Sequence, residues 1–212
     1  MICYDYINDY VRKTIKSSEG ILAELEVFAG ENHVPIVHPE VARLMIVLGN
    51  MIKPMRILEV GTAIGYSAIL MSSFLKPGGK IDTIDRYELM IGRAKENIKK
   101  AGLEETINII TGDALEVLRC LDKKYDMVFL DAAKGQYPEF LPEALRMLNK
   151  GGLLVSDNVL YKGMVANDEL IVRRKKTIVK RMRDYLNTIC KSDELETSII
   201  PIGDGVALSY KK

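Results

Sequence analysis

Tryptophan is absent from these 212 residues, and histidine and cysteine are scarce, with two and three copies. Cys3, Cys120 and Cys190 are odd in number, widely spaced and form no Cys-x-x-Cys pair, which argues against both a disulfide framework and a cysteine-ligated zinc. Reduced thiols are the expectation. His33 and His38 flank an apolar break without metal-type spacing and read as structural. No apolar run is long enough to span a bilayer, and the opening Met-Ile-Cys-Tyr-Asp-Tyr lacks the basic and apolar blocks of a signal peptide. A cytoplasmic location with no membrane partner is therefore expected. An excess of charge is missing as well: 30 Lys and Arg stand against 29 Asp and Glu, so the overall field announces no nucleic-acid partner. Such a role needs a local patch.

The composition, 48% hydrophobic and 28% charged, suits one α/β domain over residues 1–212 with a sizeable core. Residues 1–51 read as an N-terminal helical extension. In it Ile15, Ile21, Leu22, Leu25 and Phe28 form an apolar series, the stretch from Gly30 to His38 breaks it, and Pro39 suits the first turn of a new helix. From Arg56 onward, β-rich runs alternate with amphipathic segments. Strands are predicted at Ile57 to Val60, Lys80 to Ile84, Ile107 to Ile110, Met127 to Leu130 and Leu153 to Ser156, and Ala94, Ile98 and Ala101 mark one helical face after Asp85. This alternation predicts right-handed βαβ units and a mostly parallel sheet. A long charged helix is predicted from Asp168 to Ile189. Ser198 to Pro201 and Val206 to Tyr210, joined by Gly203-Asp-Gly205, read as an antiparallel edge pair.

Parallel strands end along one edge, where open α/β sheets bind their ligands. Phe129-Leu-Asp-Ala-Ala-Lys-Gly-Gln-Tyr137 and Ser156-Asp-Asn-Val-Leu-Tyr-Lys-Gly163 each follow an apolar run, which puts Asp131, Lys134, Asp157 and Asn158 side by side there. Two carboxylates and an amide oxygen make a hard, oxygen-only cation site, with water and substrate oxygens completing the octahedron of a magnesium ion. A cation there lowers the pKa of a hydroxyl it binds, and Lys134 is a candidate base beside it. The bland alternatives are an ordinary turn at Asp157-Asn158 and a solvated loop lysine.

Ile57-Leu-Glu-Val-Gly-Thr-Ala-Ile-Gly-Tyr-Ser67 reads as a strand, a glycine-bearing turn and a helix start. Its glycines, at 61 and 65, do not spell Gly-x-Gly-x-x-Gly, and Glu59 would repel a pyrophosphate, so an oxidoreductase ranks last. The pattern Glu-x-Gly-x-x-x-Gly resembles the first motif of class I S-adenosylmethionine-dependent methyltransferases. Asp85, at the end of the next strand, stands where a carboxylate accepts hydrogen bonds from both ribose hydroxyls. Gly112-Asp-Ala114 matches the segment along the adenine edge in that family, and Val37, Thr62 and Ser67 match weaker contact positions. Packing glycines and a helix cap at Asp85 are the alternatives.

The order Glu-x-Gly-x-x-x-Gly-Tyr-Ser, Asp-Ala-x-Lys, Asp-Asn-x-Leu and a terminal Gly-Asp-Gly is similar, over nearly the whole chain, to the cation-dependent O-methyltransferases of the catechol and caffeoyl-coenzyme A group. The resemblance implies a Rossmann-like class I methyltransferase fold: a seven-stranded, mostly parallel sheet with helices on both faces. It implies S-adenosyl-L-methionine and Mg2+ or another divalent cation as cofactors, and Asp131, Asp157 and Asn158 as metal ligands. Lys134 and Asp131 become the catalytic residues. Val37, Glu59, Gly61, Thr62, Ser67, Asp85, Asp113, Ala114 and Asp131 become cofactor contacts. A homodimer is also implied, with the N-terminal helices as candidate interface.

Within that group, His33-Val-Pro-Ile36, Gly61-Thr-Ala-Ile-Gly-Tyr-Ser-Ala68, Asp131-Ala-Ala-Lys-Gly-Gln-Tyr137, Asp157-Asn-Val-Leu-Tyr-Lys-Gly163 and Ile200-Pro-Ile-Gly-Asp-Gly205 resemble the bacterial tRNA 5-hydroxyuridine methyltransferases. A tRNA anticodon loop is then the implied substrate, its wobble 5-hydroxyuridine becoming 5-methoxyuridine. Arg173, Arg174, Lys175, Lys176, Lys180, Arg181 and Arg183 supply the local patch, with positions 173, 176, 180 and 183 at helical spacing and Lys162 extending it toward the site. Tyr137 and Tyr161 are candidates to stack on a flipped-out base, or else they pack the loops. The rival readings are a small-molecule O-methyltransferase acting on catechols or related phenols, and a non-catalytic cofactor- or RNA-binding module.

Overall fold

The computed structural model describes residues 2–212; Met1, the first residue of the expected extension, lies outside them. Seven strands form one sheet in the order β3-β2-β1-β4-β5-β7-β6. They are β1 (Arg56–Val60), β2 (Lys80–Asp85), β3 (Ile107–Thr111), β4 (Tyr125–Leu130), β5 (Leu148–Ser156), β6 (Leu195–Ile200) and β7 (Val206–Lys211). Neighbours from β3 through β5 pair in parallel, and β7 runs antiparallel to both β5 and β6. The strand order reverses between β1 and β4, and at such a switch point the following loops diverge and leave a crevice.

Period-two alternation fills both sheet faces. In β4, Met127 and Phe129 face one core and Val128 and Leu130 the other, all without solvent exposure. The first core also takes residues of α2 (Ile21–Asn32), α3 (Pro39–Ile52), α4 (Tyr66–Ser72) and α5 (Glu88–Lys100). The second takes residues of α6 (Ala114–Cys120), α7 (Tyr137–Met147) and α8 (Lys176–Cys190). The expected layering is therefore observed. Helix α1 (Asp5–Thr14) buries no residue and is tied down through Arg12, whose guanidinium donates to both oxygens of Glu40 at 2.9 and 3.0 Å. Among the described residues no helix is long and apolar enough to cross a membrane.

Several expectations change, among them the break at Gly30, since α2 stays helical through Gly30 to Asn32, and the edge strand expected from Ser198, which starts at Leu195. Ile15 does not continue a helix: Ile15 to Gly20 link α1 to α2. Strand β5 starts five residues earlier than predicted, running through Lys150-Gly-Gly152 with a register irregularity opposite Tyr125 to Met127. The predicted helix from Asp168 to Ile189 is broken. Two 3-10 turns, Asp168–Leu170 and Arg173–Lys175, precede α8, because Ile171 and Val172 are extended, the backbone β-branched side chains favour. Arg173 consequently leaves the helical face assigned to it.

Candidate active site

The turn after β1 passes close to the end of β4. Gly61 has φ 110°, and a Cβ there would overlap the Asp131 carbonyl, so only glycine fits both the dihedral and the space. Its N–H donates to Ile84 O at 3.0 Å, while the Ala63 N–H donates to Asp85 Oδ2 at 2.9 Å. Asp85 Oδ1 accepts the N–H groups of Arg86 and Tyr87, which leaves the carboxylate rigid at the edge of the crevice. Asp113 caps α6 by accepting from Leu115 and Glu116, and its other oxygen meets Arg86 at 3.3 Å.

Beneath the turn, Glu59 is wholly buried. Its Oε2 accepts from Thr83 Oγ1 at 2.5 Å, Thr83 in turn meets Thr62 Oγ1 at 2.7 Å, and Oε1 has no partner among the described residues. Burial pushes the Glu59 carboxyl up to about 8; the Ser67 and Thr83 hydroxyls oppose this, and Asp131 and Asp85 reinforce it. A buried acceptor left without a partner is completed by a ligand's donor or an ordered water. Glu59 lies behind the cavity wall and braces the turn, while the Gly61 turn and the Asp85 carboxylate at the crevice edge are open to a ligand and fit S-adenosylmethionine.

The opposite lip carries the charged set. Asp131 and Lys134 face one another across 3.6 Å, Asp157 is 1% exposed, and Asn158 turns the chain at φ 58°. Burial raises the Asp157 carboxyl to about 7, with Asp131 and Asp204 adding to the shift and the Asn158 N–H and Lys134 opposing it. Carboxylates crowded this way lack positive charge, which a bound cation supplies. Among the described residues no three His, Cys, Asp or Glu side chains converge to hold a metal, so the set amounts to two carboxylates and the Asn158 amide.

Every expected cofactor contact and metal ligand except Glu59 borders one cavity of about 1300 Å3, large enough for a cofactor and an acceptor together. Val37, Gly61, Thr62, Ser67, Asp85, Asp113 and Ala114 line the cofactor side, and Asp131, Lys134, Asp157, Asn158 and Lys162 the other. The structure adds residues for which no site role was expected. Asp204 lines the cavity because Gly205 packs against Leu160, while Asp204 Oδ1 accepts the Lys162 N–H. The Gly-Asp-Gly signal was visible as a turn, yet its nearness to Asn158 depends on β7 pairing with β5. Helix α1 contributes Asp5, Asp9 and Arg12, and His38, expected to be structural, also lines the cavity.

Three candidates for nucleic-acid contact are otherwise engaged, one of them Arg181, which pairs with Glu139 at 2.9 Å and donates to Gly135 O. Arg183 donates to the carbonyls of Val165 and Met164 and pairs with Asp168 at 2.6 Å. Tyr137 has no exposure, and its hydroxyl bonds to backbone inside the fold, so it offers no face to a base. Lys175 lies over the ring of Tyr161, 5.6 Å from its centroid. Arg173, Arg174, Lys176 and Lys180 remain exposed, and none of the four side chains enters an ion pair among the described residues.

A sequence profile of the O-methyltransferase family matches residues 13–212. A catechol O-methyltransferase of Niastella koreensis is 35% identical, the match covering 99% of this chain and 98% of that protein. A solved structure from Staphylococcus aureus, provisionally named a caffeoyl-CoA O-methyltransferase, superimposes with a TM-score of 0.91 at 36% identity, over 98% of this chain and 100% of that one. The O-methyltransferase of tomaymycin synthesis from Streptomyces achromogenes, solved with S-adenosylmethionine, does so with a TM-score of 0.85 at 25% identity, over 98% and 96%. With a class I methyltransferase sheet, a turn suited to S-adenosylmethionine and a family match over nearly its whole length, the chain belongs to the S-adenosylmethionine-dependent O-methyltransferases.

Proposed function

We propose that the protein methylates a hydroxyl held at a divalent cation, and that the acceptor is 5-hydroxyuridine at the wobble position of tRNA. The observation that carries the cation reading is Asp157: a buried carboxylate beside Asp131 and Asp204, with Lys134 as its nearby cation, at the lip of the cofactor cavity. S-adenosylmethionine supplies an electrophilic methyl group and the cation Lewis acidity. Asp131, Asp157 and Asn158 would hold the ion. Lys134 Nζ would take the acceptor's proton, and the acceptor oxygen would bond to the methyl carbon as that carbon's bond to sulfur breaks, with S-adenosylhomocysteine leaving. The fixed Gly61 turn and its bonded neighbours orient the donor, a contribution of positioning.

The tRNA reading is supported by the stretches resembling the 5-hydroxyuridine enzymes and by the four unpaired cations near the site. Lys175 on Tyr161 and Arg181, which donates to Gly135 O at 2.9 Å, connect that basic segment to the loops at the cavity. The names of the relatives favour a second reading, a catechol or related phenol as acceptor. Labelled S-adenosylmethionine offered with tRNA from cells lacking the wobble modification, and in parallel with catechol, separates them. The expected result is label in tRNA, lost steeply as salt rises, since phosphate contacts release counterions. Label in catechol alone overturns the tRNA reading.

A further inference from the structure

We infer that Tyr137 is a positioning residue for the cation site, its buried hydroxyl fixing the spacing of the two strand ends that carry Asp131 and Asp157. The inference rests on the cation reading above. The ladder between β4 and β5 ends where the Asp157 N–H donates to Leu130 O at 2.9 Å. Beyond it Asn158 turns away, and the Asp157 carbonyl loses the rung a continuing strand would offer. Tyr137 takes that place. Its hydroxyl lies 2.8 Å from Leu130 O and 3.0 Å from Asp157 O. One oxygen thus ties the residue before Asp131 to Asp157 itself.

The ring is held in turn. Tyr185 packs edge-on against it, with centroids 5.4 Å apart and an interplanar angle of 75°, and the Tyr185 hydroxyl pairs with Ser156 Oγ, one residue before Asp157. Both tyrosines are fully buried. Packing alone needs only the rings, and a phenylalanine fills that space without burying a hydroxyl. Asp131 and Asp157 repel one another, so their facing arrangement depends on the backbone beneath them. Such outer supports set the affinity of a metal site.

Tyr137→Phe keeps the ring and removes the hydroxyl. With the protein saturated in S-adenosylmethionine, Mn2+ binding is read from the electron paramagnetic resonance signal of the free ion. The expected result is Mn2+ affinity weakened about tenfold, with S-adenosylmethionine affinity and circular dichroism unchanged. Wild-type Mn2+ affinity in the variant, whatever its Tm, overturns the inference while leaving the cation reading intact. Absence of Mn2+ binding by the wild-type protein itself overturns both. Should Tyr137→Phe fail to fold, Tyr185→Phe tests the tie at Ser156: weaker Mn2+ binding supports the inference, and unchanged binding overturns it.

Discussion

Asp157→Ala is expected to lower methyl transfer by at least about a thousandfold, since it removes a ligand from an ion whose stabilisation of charge is worth several kcal/mol. The same substitution is expected to leave the fold intact. Asp157 is a buried carboxylate whose ionisation is opposed by burial and by Asp131, and without a cation its removal relieves an unfavourable charge. S-adenosylmethionine affinity is expected to stay at the wild-type value, because Gly61 and Asp85 hold the other side of the cavity without help from Asp157. Calorimetric titration of the cofactor beside a single-turnover assay checks both halves. Unchanged turnover refutes the role of Asp157.

Lys134→Met is expected to reduce the rate of transfer by about 10²- to 10⁴-fold, the usual worth of a positioned base. Methionine retains the unbranched stem, so the loss is of the amine. The residual rate should climb with pH, since without a base only acceptor that has already ionised reacts. The effect belongs in kcat. A substitution that raised KM and left kcat alone would instead make Lys134 a binding cation for the acceptor.

The sites at strand ends were legible because a parallel sheet forces them together. Once Ile57 to Val60, Met127 to Leu130 and Leu153 to Ser156 are read as parallel strands, Glu59, Asp131, Asp157 and Asn158 have one edge to share, and the structure puts them there. Residues brought in by distant pairing were not legible. Asp204 arrives because β7 pairs antiparallel with β5, and Arg12 because α1 docks on Glu40. Tyr137, left open between stacking on a base and packing the loops, packs. Tyr137, Phe140, Leu141, Ala144 and Met147 repeat at the helical period and are all buried, so the phase of α7 already turned that tyrosine inward. The basic segment failed for a local reason: counting cations at helical spacing ignored Ile171 and Val172, which interrupt the helix.

The central claim, hydroxyl methylation aided by a cation at Asp131, Asp157 and Asn158, is tested most directly by measuring label transfer with protein stripped by a chelator. Stripped protein should bind S-adenosylmethionine and transfer no label, and added Mg2+ should restore transfer to the wild-type protein but not to Asp157→Ala. Full transfer by the stripped protein, unchanged by Mg2+, contradicts the account.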